Sequence, residues 1–207
     1  MNGWELAALL LAWGLGGGSP EPATLTISGT AMARGRVAGV VSGFGIVGCS
    51  VFWGVASALG MGAVMLTNAW LFIALKYIGA LYLGYLALKF FRSAWHGNAA
   101  KEQAALKGGL KRVFAKSLAI HMTNPKAILG WGAIYAIALP QDAPASALLV
   151  LFAQLTCVSS VVFIGYGILF SKPWIVEWYR RARRGFEIGF GGLFGAASLK
   201  ILTAKAI

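Results

Sequence analysis

Residues 16–22 read Gly-Gly-Gly-Ser-Pro-Glu-Pro and residues 122–126 read Met-Thr-Asn-Pro-Lys, and each stretch interrupts a long apolar run. Pro22 and Pro125 lie about half of the 207-residue chain apart. Glycine and proline interrupt helices, and a polar residue directly before proline favours the start of a new helix. The two stretches therefore predict two interrupted helices at matching places in two halves of one chain.

The composition is that of an integral membrane protein. Hydrophobic residues make up 58% of the chain and charged residues only 12%, about half of the ~25% usual in soluble domains. So few charges could not cover the surface of a soluble protein of this length. This excludes a cytosolic enzyme and a disulfide-stabilised secreted domain. The two cysteines and two histidines have no metal-ligand spacing, so we predict no metal site and no cofactor.

Six apolar runs are long enough to cross a membrane, which takes about 20 residues as a helix. They cover residues 4–33, 37–66, 70–91, 113–139, 145–170 and 186–202. The predicted fold class is an all-α membrane protein with six transmembrane helices in two inverted three-helix repeats, whose first and fourth helices are broken. Repeat one is residues 1–95, a cytoplasmic linker is 96–112, and repeat two is 113–207, within a single transporter domain. If the first run does not cross, five spans remain, the N-terminus lies inside, and the rest of the chain keeps the same orientation.

The basic residues mark one side of the membrane. There are 18 Lys and Arg against 6 Asp and Glu, and most of the 18 lie between runs one and two, three and four, and five and six. Cytoplasmic loops carry such an excess, so we predict a multi-pass protein with both termini in the periplasm. The same charge in a soluble protein would indicate nucleic acid, but its position between apolar runs predicts no nucleic-acid partner.

The two breaks supply the candidate binding residues. Ser19-Pro20 and Asn124-Pro125 each resemble a cap followed by the first residue of a helix, so each predicts a half-helix that begins inside the membrane. Free N–H groups at such a start attract an anion, and paired broken helices are typical of transporter sites. Polar residues within spans are functional candidates. The predicted substrate- or ion-binding residues are Ser19, Pro20, Glu21, Pro22, Asn124, Pro125, Lys126 and Gln154.

Structural interpretations of the same residues stay open at this point. Each break can be a simple proline kink, and Gln154 can join two helices by hydrogen bonding. His121, one turn before Pro125, suits a structural hydrogen bond as well as a proton relay. Glu21 can cap its own helix, carry a proton, or pair with a substrate ammonium or with Lys126.

Glycine rows predict close helix packing. Gly35, Gly39 and Gly43 recur every four residues, as do Gly185 and Gly189. Small residues at this spacing let membrane helices approach closely. The rows permit a homodimer without demanding one.

Four segments together resemble the LysE/RhtB amino-acid exporters of bacteria. They are Pro20-x-Pro22 followed by residues 34–39 (RGRVAG), residues 76–86 (KYIGALYLGYL), residues 124–127 (NPKA) with Phe114 upstream and residues 139–141 (LPQ) downstream, and residues 191–195 (GGLFG). The resemblance implies a secondary transporter, not an enzyme, that exports an amino acid or a related small metabolite across the bacterial inner membrane, driven by the proton-motive force. Its partners would be that small molecule and the lipid bilayer.

The chain departs from this family at one position. The family usually has Pro-Gly-Pro where this chain has Pro20-Glu21-Pro22. A carboxylate at this place favours a cationic substrate or proton coupling through Glu21. The competing functions are a divalent metal-ion exporter of a related family, a membrane enzyme, and a structural membrane subunit. The scarcity of His, Cys and acidic residues within the runs argues against the first two.

Overall fold

The computed structural model describes residues 2–67, 69–96, 105–140 and 143–203, and every regular element within these ranges is an α-helix. In chain order the helices are α1 (Gly3–Gly18), α2 (Pro22–Thr67), α3 (Ala69–His96), α4 (Leu110–Met122), α5 (Pro125–Ala138), α6 (Ala145–Leu169) and α7 (Pro173–Thr203). The all-α prediction is confirmed. Helices also end at both predicted breaks, before Pro22 and before Pro125.

A sharp bend at Gly35 divides α2 into a first arm (22–34) and a second arm (36–67). Gly35 has a φ of +80°, a left-handed conformation that glycine adopts at little cost. The first arm folds back along the second, so that a Cβ at Gly39 would lie 2.5 Å from the Cβ of Ala31. Gly35 is therefore a bend and not a packing residue, which corrects the expectation from the glycine row.

Glycines bring the second arm of α2 against α6. A Cβ at Gly167 would lie 2.5 Å from the carbonyl carbon of Gly39, and one at Gly43 would lie 2.7 Å from the Phe163 carbonyl oxygen. Packing at this distance is what small residues permit between membrane helices. The predicted packing role of Gly39 and Gly43 is confirmed.

The second arm of α2 also contacts α4, from the other half of the chain. The hydroxyls of Ser42 and Ser117 are hydrogen-bonded at 2.7 Å, and a Cβ at Gly45 would lie 2.5 Å from the Phe114 carbonyl oxygen. Because α4 and α6 both pack on this arm, the two halves of the chain are interleaved and share one interior.

Helices α3 and α7 form a second pair. The Phe90 ring packs against Phe190 and Phe194, with ring centroids at 5.6 and 5.7 Å, and Ser198 donates to the Ala80 carbonyl at 2.8 Å. This pair brings Phe194 against α1, where a Cβ at Gly16 would lie 3.3 Å from its ring.

The outer surface of the helices is apolar. Leu59, Leu88 and Val161 expose 73%, 71% and 69% of their surface, as expected for side chains that face lipid. Among the described residues, Pro22–Gly60 of α2 and Ala145–Leu169 are long and apolar enough to cross a membrane. By contrast, α1, α4 and α5 have 16, 13 and 14 residues, fewer than the ~20 that one crossing takes.

Helix α7 is longer than the last apolar run. It begins at Pro173 rather than near residue 186, so the basic residues that follow residue 179 (Arg180, Arg181, Arg183 and Arg184) lie within a helix. Ion pairs one turn apart, Glu177–Arg181 at 2.9 Å and Arg183–Glu187 at 2.8 Å, stabilise this extension. The hydropathy pattern does not predict this N-terminal part of α7, because it contains many charged residues.

Two of the basic connections lie at the same end of the bundle. Arg34 Nη1 donates to the Leu106 carbonyl at 2.7 Å, and the Leu106 N–H donates to Thr30 Oγ1 at 3.3 Å. Helix α4 begins at Leu110, inside the predicted linker 96–112. Residues 97–104 of that linker and the C-terminal residues 204–207 lie outside the described residues.

Candidate functional site

The two helix breaks meet at a buried ion pair. Lys126 Nζ lies 3.1 Å from Glu21 Oε2, and the two side chains expose only 16% and 9% of their surface. Glu21 belongs to the first break and Lys126 follows the second. Buried charges are tolerated when they are paired and hydrogen-bonded, so each side chain supplies the counter-charge that the other requires. The pair also ties one half of the chain to the other.

The first break leaves Glu21 between two helices. Ser19 caps the C-terminus of α1 in an extended conformation, and its N–H donates to the Gly16 carbonyl at 3.2 Å. The prediction that Ser19 caps a helix beginning at Pro20 is wrong. Ser19 and Glu21 both precede a proline, which disfavours helical backbone at both residues. Helix α2 therefore begins only at Pro22, and Glu21 occupies the position just before it.

The helix ends at this break suit both charges. An α-helix carries partial positive charge at its N-terminus and partial negative charge at its C-terminus. Glu21 lies at the N-terminus of α2. Lys126 Nζ reaches the C-terminus of α1, where it donates to the Gly16 carbonyl and to Ser19 Oγ, the latter at 2.6 Å. The sequence predicted an anion at helix N-termini and missed the cation site at the carbonyl end of α1.

Asn124 organises the second break and links it to the first. Its Oδ1 accepts from the Lys126 N–H at 3.1 Å, which makes it the cap of α5, and Pro125 is the first residue of that helix. The predicted Asn-Pro helix start is confirmed. Its Nδ2 donates to Glu21 Oε2 at 3.3 Å. One buried amide thus starts a helix of the second half and holds the carboxylate of the first.

His121 and two aromatic rings surround this cluster. His121 Nδ1 lies 3.4 Å from Asn124 Nδ2, and its ring meets Phe163 edge-on with centroids 5.7 Å apart. The Phe194 ring centroid lies 5.9 Å from Lys126 Nζ, within the range of a cation–π contact. Neither phenylalanine was predicted to belong to the site. The only signal for Phe194 was its place in the GGLFG segment of the family resemblance.

Tyr166 of α6 also reaches the first break without having been predicted. Its hydroxyl donates to the Gly18 carbonyl at the end of α1. Aromatic residues are frequent in apolar runs, so nothing in the local pattern distinguishes this one.

Gln154 is not brought to the helix breaks. It lines a separate cavity of about 450 Å³ formed mainly by α6 and the connection from α5 to α6, together with Leu6, Pro140 and Val150. Of the predicted residues, Ser19, Glu21, Asn124 and Lys126 contact one another, while Pro20, Pro22 and Pro125 shape the two breaks.

A second buried acid lies between α3 and α7. Glu187 Oε1 accepts from Ser93 Oγ at 2.9 Å and pairs with Arg183 at 2.8 Å. It was missed because it stands at the charged edge of the sixth apolar run. Within the described ranges, no group of three or more His, Cys, Asp and Glu residues could hold a metal ion.

The family model for LysE type translocators matches residues 18–205. The chain therefore belongs to the LysE-type translocator family of membrane transport proteins, as the sequence resemblance indicated.

Individual relatives match over most of the chain. An uncharacterized membrane protein of Pseudomonas aeruginosa is 33% identical over 198 residues, which cover 89% of this chain and 88% of the relative. The threonine efflux protein of Salmonella typhi is 25% identical, covering 90% and 92%. The homoserine/homoserine lactone efflux protein of the same organism is 26% identical, covering 97% and 94%. No solved structure matches the chain.

Proposed function

We propose that this protein is a secondary transporter that exports an amino acid or a related small metabolite across the bacterial inner membrane, driven by the proton-motive force. The observation that carries the proposal is the buried Glu21–Lys126 pair, which joins helix breaks in the two halves of the chain. Ionisable groups are costly inside a membrane and mark substrate or ion pathways. Paired interrupted helices are typical of transporter binding sites.

The proposed substrate class is a zwitterion. The site holds one carboxylate and one ammonium at 3.1 Å, so its formal charge is balanced. An amino acid brings the same two charges and preserves that balance. A cation would add an unpaired buried charge, which costs several kcal/mol. The balanced charge of the site therefore favours a zwitterion over the cationic substrate that Glu21 alone favoured. Relatives named for threonine and homoserine efflux support a zwitterionic substrate as well.

The proposed binding residues are those that the breaks bring together. Ser19, Glu21, Asn124 and Lys126 would contact the substrate, and Pro20, Pro22 and Pro125 keep the breaks open. Gln154 lies in the separate cavity, where it would meet a substrate only on its path through the protein.

The proposed membrane arrangement has six crossings. Helix α1 with the first arm of α2 forms the first crossing, and α4 with α5 forms the fourth, which gives two inverted repeats. The basic connections face the cytoplasm and both termini face the periplasm. The Arg34–Leu106 contact supports this by joining two of these connections. Gly185 and Gly189 leave open space on α7, which permits a homodimer.

Glu21 is the proposed point of proton coupling. One carboxylate binds either a proton or an ammonium group well, but not both. A proton that arrives from the periplasm would displace the substrate ammonium there. Loss of that proton to the cytoplasm would restore the carboxylate for the next substrate. This exclusion is how a proton gradient can drive export.

Challenge of whole cells tests the proposal. Cells that overproduce the protein should grow at inhibitory concentrations of L-threonine or L-homoserine and hold less of that amino acid than cells with an empty vector. Unchanged sensitivity to every amino acid tested would contradict the proposal. Resistance to a divalent metal salt instead would favour a metal-ion exporter.

A further inference from the structure

The Lys126 ammonium has a full set of partners, and none of them comes from its own helix. Its Nζ donates to the Gly16 carbonyl and to Ser19 Oγ at 2.6 Å, and it lies 3.1 Å from Glu21 Oε2. The Phe194 ring centroid is 5.9 Å away, as in a cation–π contact. An ammonium has three N–H donors, so the three oxygens match one primary ammonium group.

Lys126 is held there against the preference of its own helix. It is the second residue of α5, where the helix dipole is positive and disfavours a cation. Its stabilisation therefore comes from the first break, in the other half of the chain. Natural proteins break such local rules mainly at functional sites.

We propose that the oxygens of Gly16, Ser19 and Glu21, with the Phe194 ring, form the binding site for the primary ammonium group of the exported amino acid, and that Lys126 fills this site while the substrate is absent. The inference rests on the proposed function, because the ligand is the transported molecule. The α-ammonium of an amino acid has the same charge and the same three donors as Lys126 Nζ.

Exchange of the two ammonium groups keeps every charge paired. When the substrate enters, Lys126 leaves the site and becomes the partner of the substrate carboxylate. When the substrate has left and Glu21 has lost its proton to the cytoplasm, Lys126 returns to the Glu21 carboxylate. The empty protein thus never exposes a buried carboxylate without a partner, which is a costly state.

A small primary amine tests the site without any transport. In Lys126→Ala the three oxygens remain and the ammonium is missing, so the purified full-length protein should unfold at a lower temperature than wild type. Ethylammonium chloride should restore much of this loss, whereas tetramethylammonium chloride, which has no N–H donor, should not.

The matched control is Lys172→Ala, which removes an exposed lysine between α6 and α7. Neither wild type nor this variant should respond to ethylammonium more than to tetramethylammonium. Equal responses of Lys126→Ala to both salts would overturn the proposed ammonium site.

A pair of phenylalanine variants tests the site even if Lys126→Ala does not fold. Phe194 and Phe190 are equally buried, at 7% exposure, and both pack against Phe90, but of the two only Phe194 lies over Lys126 Nζ. Phe194→Leu should raise the half-saturating concentration of L-threonine uptake into inside-out vesicles several-fold, and Phe190→Leu should not. Equal values for the two variants would overturn the cation–π part of the site.

The two proposals fail separately. Amine rescue is read from unfolding alone, so its failure would leave amino-acid export standing. Conversely, ethylammonium could stabilise Lys126→Ala while the wild-type protein protects cells from no amino acid. The ammonium site would then stand, and the proposed export function would be refuted.

Discussion

Removal of either charge of the Glu21–Lys126 pair should destabilise the protein far more than removal of both. Glu21→Gln leaves the Lys126 ammonium buried without its counter-ion, and Lys126→Gln does the same to the carboxylate. At 3.1 Å, Coulomb's law gives an attraction on the order of 5 kcal/mol for an effective dielectric constant of about 20. Breaking a buried pair by removing one partner costs about 3–5 kcal/mol, whereas replacing both partners by well-packed uncharged residues of similar volume is often nearly neutral.

Thermal unfolding of the purified variants in detergent measures the effect. For a chain of this length, about 1 kcal/mol corresponds to roughly 2–4 °C, so each single variant should lose on the order of 10 °C. The double variant Glu21→Gln/Lys126→Gln should recover at least half of that loss, because no charge is left unpaired.

The exposed pair Glu177–Arg181 provides the matched control. Its atoms are 2.9 Å apart, but the two side chains are 55% and 78% exposed, and such surface pairs contribute only about 0.2–1 kcal/mol. Glu177→Gln should therefore shift the unfolding temperature little. A double variant as unstable as the sum of its singles would refute the coupling between the two breaks.

Three further changes have defined outcomes. Gly167→Ala should lower the unfolding temperature, because its Cβ would lie 2.5 Å from the Gly39 backbone. In the control Gly165→Ala the added Cβ meets nothing within 4 Å, so the unfolding temperature should stay near that of wild type. Equal unfolding temperatures of the two variants would refute the close packing of α2 and α6. Asn124→Leu should reduce export more than membrane insertion, since it removes a cap worth about 1 kcal/mol and the contact with Glu21. The control Asn2→Leu removes only the exposed cap of α1 and should export normally. Unchanged export by Asn124→Leu would mean that the second break is a simple kink. A reporter fused after the last residue should be active only in the periplasm, and fluorescence of a cytoplasm-only reporter there would overturn the orientation.

The breaks were predictable from sequence because their causes are local. Proline lacks an N–H and restricts the residue before it, and Asn124 caps the helix that follows within two residues. The same local logic failed at Ser19, because Pro22, two residues after Pro20, delayed the helix start.

The composition of the site was only partly predictable because its partners come from distant segments. Pairing of Glu21 with Lys126 was one of several possibilities until the fold placed them 3.1 Å apart. Phe194 reaches the site only because α7 packs on α3. The bend at Gly35 could not be predicted either. A glycine at regular spacing predicts close helix packing, and only the φ of +80° at Gly35 shows that the chain turns there.

Uptake into inside-out vesicles that carry Glu21→Gln, measured with the amino acid to which the wild-type protein gives cells resistance, decides whether the buried pair is the transport site. Gln keeps the size of the side chain and one acceptor oxygen but can neither carry the charge nor cycle a proton. At equal protein levels, uptake should fall at least tenfold below wild type and below the exposed control Glu177→Gln, and the remainder should no longer respond to an imposed pH gradient. Full uptake by Glu21→Gln that still responds to the pH gradient would remove Glu21 from the mechanism.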